Sequence, residues 1–579
     1  MKSTKKDPGR WIRLRIVLVG VSFCSVMLLF VGRAVQLHLL KGVLLAQKAS
    51  DQYEKRDKRF AKRGIIYDRN YEELAASVEV DSICANPKKC ESGKHTSELL
   101  ATILKTDTKE IYQKLSSSKS FVWIKRNARP DEVSKVKEKG LAGISFIEGT
   151  RRFYPNKSLA AQLIGFTGTD GCGLEGLEYT LDSTVKGIST THTVLKDAFG
   201  RSFRSPKNNR TGQDGQNVVL TIDKNIQYIT ENALSEGVRE AEAKSGMAVV
   251  VVPSTGEILA VANIPTYNPN VFWESECSTW RNRAFSDAFE PGSTFKVFLA
   301  VAALETGACT PNSIFYCENG RYKIGRRAIH DMHQFGWLSL QQIVKMSSNI
   351  GAAKVGERVG AELLDKTLNA FGFGKKTGVK APGETAGRLS PHEKWSDMDA
   401  AAISFGQGVS VSVLQMAMAL SAIANNGILM KPLLVSKITD VTGKVVKHFK
   451  PTCVRQAVSA CTARAVTRIL KTVIAEGGTG VRAALPAYSV AGKTGTAQKA
   501  DLNGGGYLKD RYIASFVGFA PADDPEIVVV VQIDEPKKEI YGGVVAAPVF
   551  QEICGKTLRY MKILPERELM ASNQTGTMG

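Results

Sequence analysis

The chain has 579 residues, which is far more than one typical domain, so we expect two or three folded units with substantial cores. Its net charge of +21 and its pI near 9.4 favour anionic partners such as nucleic acid, anionic lipid or an acidic polymer. The sequence contains no zinc-type C-x-x-C pair and none of the common nucleic-acid-binding signatures. The excess of basic residues therefore indicates a protein that faces a membrane surface or the cell wall, and it argues against nucleic-acid binding.

The first informative segment is an apolar stretch over residues 16–32, which ends at Arg33 and resumes weakly over residues 35–40. A membrane span needs about 20 apolar residues, and no A-x-A-like cleavage site follows this stretch. Six cations precede it: Lys2, Lys5, Lys6, Arg10, Arg13 and Arg15. By the positive-inside rule we predict a cytoplasmic tail over 1–15, a single-pass signal anchor over 16–37, and the rest of the chain outside the cytoplasm.

The ten cysteines would then lie largely in a compartment where thiols can oxidise. Cys309 and Cys317 are close enough in the sequence to close a small loop, as are Cys84 and Cys90. The spacing establishes neither bridge, and free buried thiols are an equally good interpretation.

After the anchor, residues 38–215 mix short strand-like and helical patterns without a constellation of catalytic side chains, and we interpret them as a non-catalytic pedestal domain. From residue 216 the pattern changes to a strand over 217–222, a helix capped by Asp223, a hairpin over 247–262, and late strands at 489–491, 513–518 and 527–533. We predict an α+β domain over 216–565, with an antiparallel sheet flanked by helices. A polar tail follows over 566–579.

The first candidate catalytic motif is Ser293-Thr294-Phe295-Lys296. The turn residues Pro291-Gly292 precede it and place Ser293 at the start of an apolar helix. Residues three apart share a helix face, so the Lys296 amine can reach the Ser293 hydroxyl. A serine needs a neighbouring base, and burial can lower a lysine pKa enough to supply one. An isolated S-x-x-K is usually only a serine cap beside an exposed lysine, and the chain has others at Ser3, Ser116 and Ser134.

Two further motifs favour a catalytic role for Ser293 over an ordinary serine cap. Ser347-Ser348-Asn349 lies at a predicted helix junction, where Ser347 could relay a proton and Asn349 could hold a substrate amide, although an ordinary polar cap has the same pattern. Lys493-Thr494-Gly495-Thr496 follows a strand-like segment, whose edge could pair with an extended peptide while the lysine and the threonine hydroxyls bind a carboxylate. A second K-T-G, at residues 376–378, lies among turn residues and is set aside.

The three motifs in the order S-x-x-K, S-x-N, K-T-G are far more specific together than any one of them alone. With them the chain resembles the class B penicillin-binding proteins. These are monofunctional D,D-transpeptidases of the serine penicillin-recognising, β-lactamase-like fold. Segments 63–70, 151–155 and 173–178 are similar to the pedestal motifs of that family, and segment 281–292 most resembles its division-specific subgroup. One departure is Tyr71, where a glycine usually follows Asn70, which affects the expected turn and not the chemistry.

The resemblance implies that Ser293 attacks the penultimate D-alanine carbonyl of a peptidoglycan stem peptide and that a neighbouring amine then resolves the acyl-enzyme into a cross-link. Lys296 and Ser347 would move protons, and the backbone N–H groups of Ser293 and Thr496 would form an oxyanion hole. Asn349, Lys493, Thr494, Gly495 and Thr496 would bind substrate. β-Lactams would acylate the same serine, and no metal or organic cofactor is implied.

The sequence and the family resemblance are also compatible with other functions. A septal role in cell division is expected from the subgroup resemblance, with an elongation-type transpeptidase as the alternative. A D,D-carboxypeptidase would use the same acyl-enzyme with water as the acceptor, while a β-lactamase would need a deacylating glutamate in a pattern that the sequence does not contain. A penicillin sensor or septal scaffold would bind without turnover. The family also implies a membrane-embedded glycosyltransferase and other division proteins as partners.

Overall fold

The computed structural model describes residues 8–59, 61–90, 93–196, 202–204, 213–501 and 506–565. The predicted polar tail, 566–579, and the Ser3 motif lie outside these residues. The chain divides into two compact units, one formed by residues 1–61 with 188–213 and the other by residues 62–187 with 214–579. Each unit is described by itself.

The first unit contains the predicted anchor as a long apolar helix, Pro8–Val35, which continues through a π-helical turn at Gln36–Leu40. The stretch Gly9–Leu40 has 32 residues, a mean hydropathy of 2.5 over its most apolar window, and no burial of that window within the protein. At 1.5 Å per residue it is about 48 Å long, which exceeds the roughly 30 Å hydrocarbon core of a bilayer. The helix is therefore long and apolar enough to cross a membrane, and it includes the span predicted at 16–37.

The rest of this unit is a second helix, Gly42–Tyr53, and a three-stranded antiparallel sheet. The strands lie in the order Glu54–Arg59, Thr190–Lys196, Ser202–Arg204.

The second unit begins with a mixed seven-stranded sheet that joins residues 62–187 to later parts of the chain. Its strands lie in the order Val445–His448, Val435–Thr439, Asn217–Leu220, Ile66–Tyr67, Glu73–Ala85, Val122–Lys125, and Ile144–Phe153 also pairs with Glu73–Ala85. The helices of this region are Gly93–Leu104, Thr108–Leu115, Pro130–Glu138, Ala161–Ile164, Gly176–Thr180 and Asp182–Val185. A separate small apolar core forms where the first three of these helices pack on the sheet.

A buried ion network connects the three sequence segments that resemble pedestal motifs. The Glu178 carboxylate is fully buried and accepts from Arg63 Nε at 2.6 Å and from Arg152 Nε at 2.5 Å. Arg63 also donates to the backbone oxygen of Glu178, and Arg152 donates to the backbone oxygen of Gly64. Because the buried charges are paired and hydrogen-bonded, they fix the three segments against one another.

The turn at residues 68–72 is organised by the buried Asp68 carboxylate, which accepts from the backbone N–H groups of Asn70 and Glu72 at 2.7 and 2.8 Å. Tyr71 has φ = +65°, the left-handed region in which glycine costs least. The departure from the family pattern is thus accommodated by a tyrosine in a glycine-type conformation. The Tyr71 ring lies 4.8 Å from the Lys437 ammonium, a contact that glycine could not make.

The α+β architecture predicted after residue 216 is confirmed, with a five-stranded, fully antiparallel central sheet. Its strands lie in the order Ile258–Ile264, Ser245–Val251, Ile527–Asp534, Tyr507–Ala520, Ala491–Ala500. Strand Ile527–Asp534 is buried along its whole length, as its continuous apolar run predicts for a strand covered on both faces. Strand Ala491–Ala500 forms one edge of this sheet.

Helices pack on both sides of the central sheet. Val413–Ala424 is apolar all round and buried at every residue, whereas the amphipathic Ala460–Ile474 buries one face. The remaining helices are Lys224–Glu240, Arg283–Ser286, Lys296–Glu305, Leu340–Met346, Asn349–Val359, Ala361–Ala370, Asp397–Ser404 and Gly542–Tyr560. Three two-stranded sheets complete this part: Ile314–Tyr316 with Trp337–Ser339, Arg321–Ile324 with Arg327–His330, and Ile428–Met430 with Cys453–Gln456.

All ten cysteines have free thiols, so neither of the loops considered from the sequence is closed by a disulfide in this structure. The predicted cap at Asp223 is confirmed, because its carboxylate accepts from the backbone N–H groups of Asn225 and Ile226.

Candidate active site

Ser293 lies in a single 3-10 turn, Gly292–Phe295, that leads directly into helix Lys296–Glu305. Gly292 has φ = +54°, and its N–H donates to the Gly406 oxygen at 3.0 Å. A Cβ on Gly406 would lie 2.2 Å from the Gly292 oxygen, so the two backbones can approach only because residue 406 is a glycine. This close contact fixes the turn that presents the half-buried Ser293 side chain.

The Lys296 amine is fully buried and surrounded by oxygen atoms. Its Nζ lies 3.1 Å from Ser293 Oγ, 2.6 Å from the Ser347 backbone oxygen and 2.8 Å from Asn349 Oδ1. Burial lowers the pKa of Lys296 to about 7, while the negative charge of Asp331 opposes that shift. A large fraction of these amines is therefore neutral near pH 7 and able to accept a proton from the serine.

Ser347 ends helix Leu340–Met346 in a left-handed conformation, with φ = +63°. This strained position directs its hydroxyl between the two buried lysines, at 3.3 Å from Lys296 Nζ and 3.0 Å from Lys493 Nζ. Helix Asn349–Val359 starts two residues later, capped by Ser348, so the predicted helix junction is present. The hydroxyl can therefore pass a proton between the Lys296 side of the site and the Lys493 side.

Asp331 was not predicted from the sequence. Its carboxylate accepts from the Ser348 hydroxyl at 2.6 Å and from the backbone N–H groups of Asn349 and Ile350 at the start of helix Asn349–Val359. A carboxylate is favourable at a helix N-terminus, and this one holds the Ser347–Asn349 segment in place. Asp331 lies 16 residues before Ser347 in an irregular loop, and no spacing rule connects the two.

Lys493 lies inside edge strand Ala491–Ala500, whereas the sequence predicted a strand that ended before it. Its side chain is fully buried, and Nζ donates to Ser347 Oγ and to the Thr494 backbone oxygen at 3.1 Å. Burial, and secondarily the charge of Lys296, place the pKa of Lys493 well below its ordinary value. Lys493 thus acts here as a short-range hydrogen-bonding group at Ser347.

The hydroxyl groups of the same strand have defined partners. Thr494 Oγ1 and Thr479 Oγ1 are 2.8 Å apart, and Thr496 Oγ1 accepts from the Gly542 N–H at 3.1 Å. Between them, a Cβ on Gly495 would lie 2.3 Å from Ser515 Oγ and 2.8 Å from Thr294 Cγ2. The glycine therefore lets the strand approach the turn that carries Ser293.

These elements line one cavity of about 640 Å³, which contains Ser293, Ser347, Asn349, Thr494 and Thr496 on its walls. Apolar surface is contributed by Met332, Phe335, Met346, Phe405, Val481, Ile540 and Val544. All three predicted motifs are thus brought to one place, with polar groups at the serine and an apolar lining suited to a peptide-sized ligand.

The second K-T-G has other contacts. The Thr377 hydroxyl and N–H and the Gly378 N–H all bind the Glu384 carboxylate, within a loop where Gly378 has φ = +80°. This segment does not line the cavity. Its tripeptide is a carboxylate-stabilised turn, as the surrounding turn residues indicated.

Comparison with known proteins places both parts of the chain in one family. Residues 246–555 match the Penicillin binding protein transpeptidase domain, and residues 58–220 match the Penicillin-binding Protein dimerisation domain. The first of these matches alone covers more than half of the chain.

Full-length relatives and solved structures agree with the domain matches. The Probable peptidoglycan D,D-transpeptidase PenA of Neisseria gonorrhoeae is 34% identical over 96% of this chain and 94% of its own length. The Peptidoglycan D,D-transpeptidase FtsI of Escherichia coli K12 is 33% identical over 97% and 94%. The crystal structure of penicillin binding protein 3 of Mycobacterium tuberculosis with aztreonam has a TM-score of 0.70 and 29% identity, covering 88% of this chain and 98% of that one. The chain therefore belongs to the class B penicillin-binding proteins, the serine-type peptidoglycan D,D-transpeptidases.

Proposed function

We propose that this protein cross-links peptidoglycan stem peptides through an acyl-enzyme on Ser293. The observation that carries the proposal is the buried Lys296 amine 3.1 Å from the Ser293 hydroxyl, in a site that also contains Ser347 and the strand of Lys493. A neutral buried amine is the base that a serine nucleophile requires, and the geometry provides one within hydrogen-bonding distance.

In the first half-reaction, Ser293 Oγ bonds to the penultimate D-alanine carbonyl carbon as its proton passes to Lys296 Nζ. The peptide bond to the terminal D-alanine breaks, and Ser347 gives its proton to the leaving amine while it takes the proton that Lys296 received from Ser293. The product is an ester on Ser293. Backbone N–H groups of Ser293 and Thr496 stabilise the oxyanion, a contribution of about 3–4 kcal/mol per donor in enzymes where it has been measured.

In the second half-reaction, an amine of a neighbouring stem peptide attacks the ester carbonyl. Its proton is taken up through the same groups, the ester bond breaks, and Ser293 Oγ regains its hydrogen. Asn349 Oδ1 is held by Lys296, which orients the carboxamide toward a substrate amide. The strand edge at Lys493, Thr494, Gly495 and Thr496 pairs with the donor peptide. β-Lactams, which are bound by the M. tuberculosis relative, would acylate the same serine.

The cellular role that we propose is septal wall synthesis, and similarity to FtsI supports it. The apolar N-terminal helix would cross the cytoplasmic membrane once, with the N-terminus inside and residues 38–215 (pedestal) and 216–565 (catalytic) outside. A membrane-embedded glycosyltransferase and other division proteins would be its partners. Depletion should give filamentous cells, whereas rounded cells would assign the protein to elongation.

The enzymatic proposal is tested with an N-acyl-D-alanyl thioester as donor and a D-amino acid as acceptor. Wild-type protein should form the new amide, and Ser293→Ala should not. Hydrolysis without amide formation would instead indicate a D,D-carboxypeptidase, and binding without turnover would indicate a sensor or scaffold.

A further inference from the structure

The proposed donor substrate ends in a free carboxylate, and a buried carboxylate needs a charged or strongly hydrogen-bonding partner. Lys493 is poorly suited to supply that charge. Its amine is fully buried, is turned to Ser347 Oγ and the Thr494 backbone oxygen, and does not line the cavity. The threonine hydroxyls can donate hydrogen bonds, but they carry no charge.

Arg482 is the one permanently charged side chain among the residues that line the cavity, as far as the structure describes the chain. No aspartate or glutamate is found among those lining residues. The Arg482 side chain is exposed and forms no ion pair or hydrogen bond with any described part of the protein. Its guanidinium is therefore free to bind an anion that enters the cavity, and no lining carboxylate competes for it.

The loop that leads into Arg482 is fixed beside the Thr494 hydroxyl at Thr479. The Gly480 N–H donates to the Val473 oxygen at 3.0 Å, and the Thr479 hydroxyl is 2.8 Å from that of Thr494. A Cβ on Gly543 would lie 2.2 Å from the Thr479 oxygen, so this loop packs tightly against the start of helix Gly542–Tyr560. Arg482 follows Thr479 by three residues, in the 3-10 turn Val481–Ala483.

We propose that the Arg482 guanidinium binds the terminal carboxylate of the donor stem peptide, next to the hydroxyls of Thr494 and Thr496. This inference rests on the proposed function and names a residue that the three motifs do not contain. A guanidinium can bind a carboxylate through two parallel hydrogen bonds, and it remains charged at every pH at which the enzyme works. Arg482 would thus select a free peptide C-terminus over a peptide bond within a chain.

The test uses two thioester donors that differ by one charge. In the first, N-acyl-D-alanyl thioglycolate, the leaving group carries a free carboxylate; the second is its methyl ester. Thiol release is measured with wild-type protein, Arg482→Gln, Arg482→Lys and a matched control, Arg468→Gln. Arg468 is an exposed arginine on helix Ala460–Ile474 that does not line the cavity. End-point labelling with fluorescent penicillin counts intact sites in each preparation.

Wild-type protein and Arg468→Gln should prefer the free carboxylate, and Arg482→Gln should lose about 10- to 100-fold of that preference. Only turnover of the carboxylate donor should slow, and all variants should turn over the methyl ester at the same rate. Arg482→Lys should have a preference for the carboxylate donor between those of wild-type protein and Arg482→Gln. The inference is overturned if Arg482→Gln keeps the wild-type preference or slows both donors equally. Failure of the proposed function would look different, because then wild-type Ser293 would react with neither donor.

Discussion

The pH dependence of acylation follows from the position of Lys296. With a pKa of about 7, roughly half of the Lys296 amines are neutral at pH 7, about a tenth at pH 6 and about a hundredth at pH 5. If the neutral amine is the base, the second-order rate constant of acylation should fall tenfold per pH unit below about pH 6 and level off above about pH 8.

Asp331→Asn is the perturbation that tests this assignment. The carboxylate raises the pKa of Lys296, so its removal should move the inflection to lower pH and make the variant relatively faster at pH 6. Asparagine keeps one oxygen to accept from the backbone N–H groups of Asn349 and Ile350, which preserves most of the helix cap.

The assay is stopped-flow acylation by a fluorescent penicillin between pH 5 and 9. Glu318→Gln is a matched control, because Glu318 is a nearby carboxylate paired with Lys354 and does not act on Lys296. An inflection that stays in place or moves upward in Asp331→Asn would refute the reasoning. A wild-type rate that does not change across this range would remove Lys296 as the base.

Three further substitutions test other parts of the structure. Glu178→Gln should lower the free energy of unfolding in urea by about 3–5 kcal/mol, because it leaves two buried arginines underpaired. The exposed Glu79→Gln should leave that free energy nearly unchanged, and equal effects of the two substitutions would contradict the buried network. Gly495→Ala should slow penicillin acylation about a hundredfold, since the alanine Cβ would collide with the Ser515 hydroxyl on the neighbouring strand. An unchanged rate would show that the edge strand can shift to make room for the methyl group. Lys493→Ala should abolish acylation, while Lys376→Ala should leave it at the wild-type rate. The reverse result would assign the active-site role to the K-T-G at residues 376–378.

The parts of the site that could be predicted are those set by short-range geometry. Ser293 and Lys296 are three residues apart at the start of a helix, so helical spacing alone brings the amine to the hydroxyl. The junction at Ser347 and the cap at Asp223 likewise follow from local propensities. The central sheet was predicted because its strands are long, apolar and separated by turn residues.

What could not be predicted depends on contacts between distant parts of the chain. Asp331 is recognisable only once the fold brings its loop to the start of helix Asn349–Val359. The Arg63–Glu178 pair joins residues 115 positions apart, and Thr479, whose hydroxyl pairs with that of Thr494, belongs to none of the three motifs. Sequence spacing carries no information about such pairs, since tertiary packing alone determines them. The strand that carries Lys493 was also predicted to end too early, because small residues and a lysine do not resemble a buried strand.

The most direct test of the account is to identify the atom that β-lactams acylate. Purified full-length protein in detergent is incubated with benzylpenicillin, and the adduct is located by intact mass and by mass spectrometry of its peptides. We predict one adduct with the full mass of the opened penicillin, on Ser293, and none on Ser293→Ala. An adduct on another residue, or an unchanged adduct on Ser293→Ala, would contradict the central claim that Ser293, with Lys296 as its base, is the nucleophile.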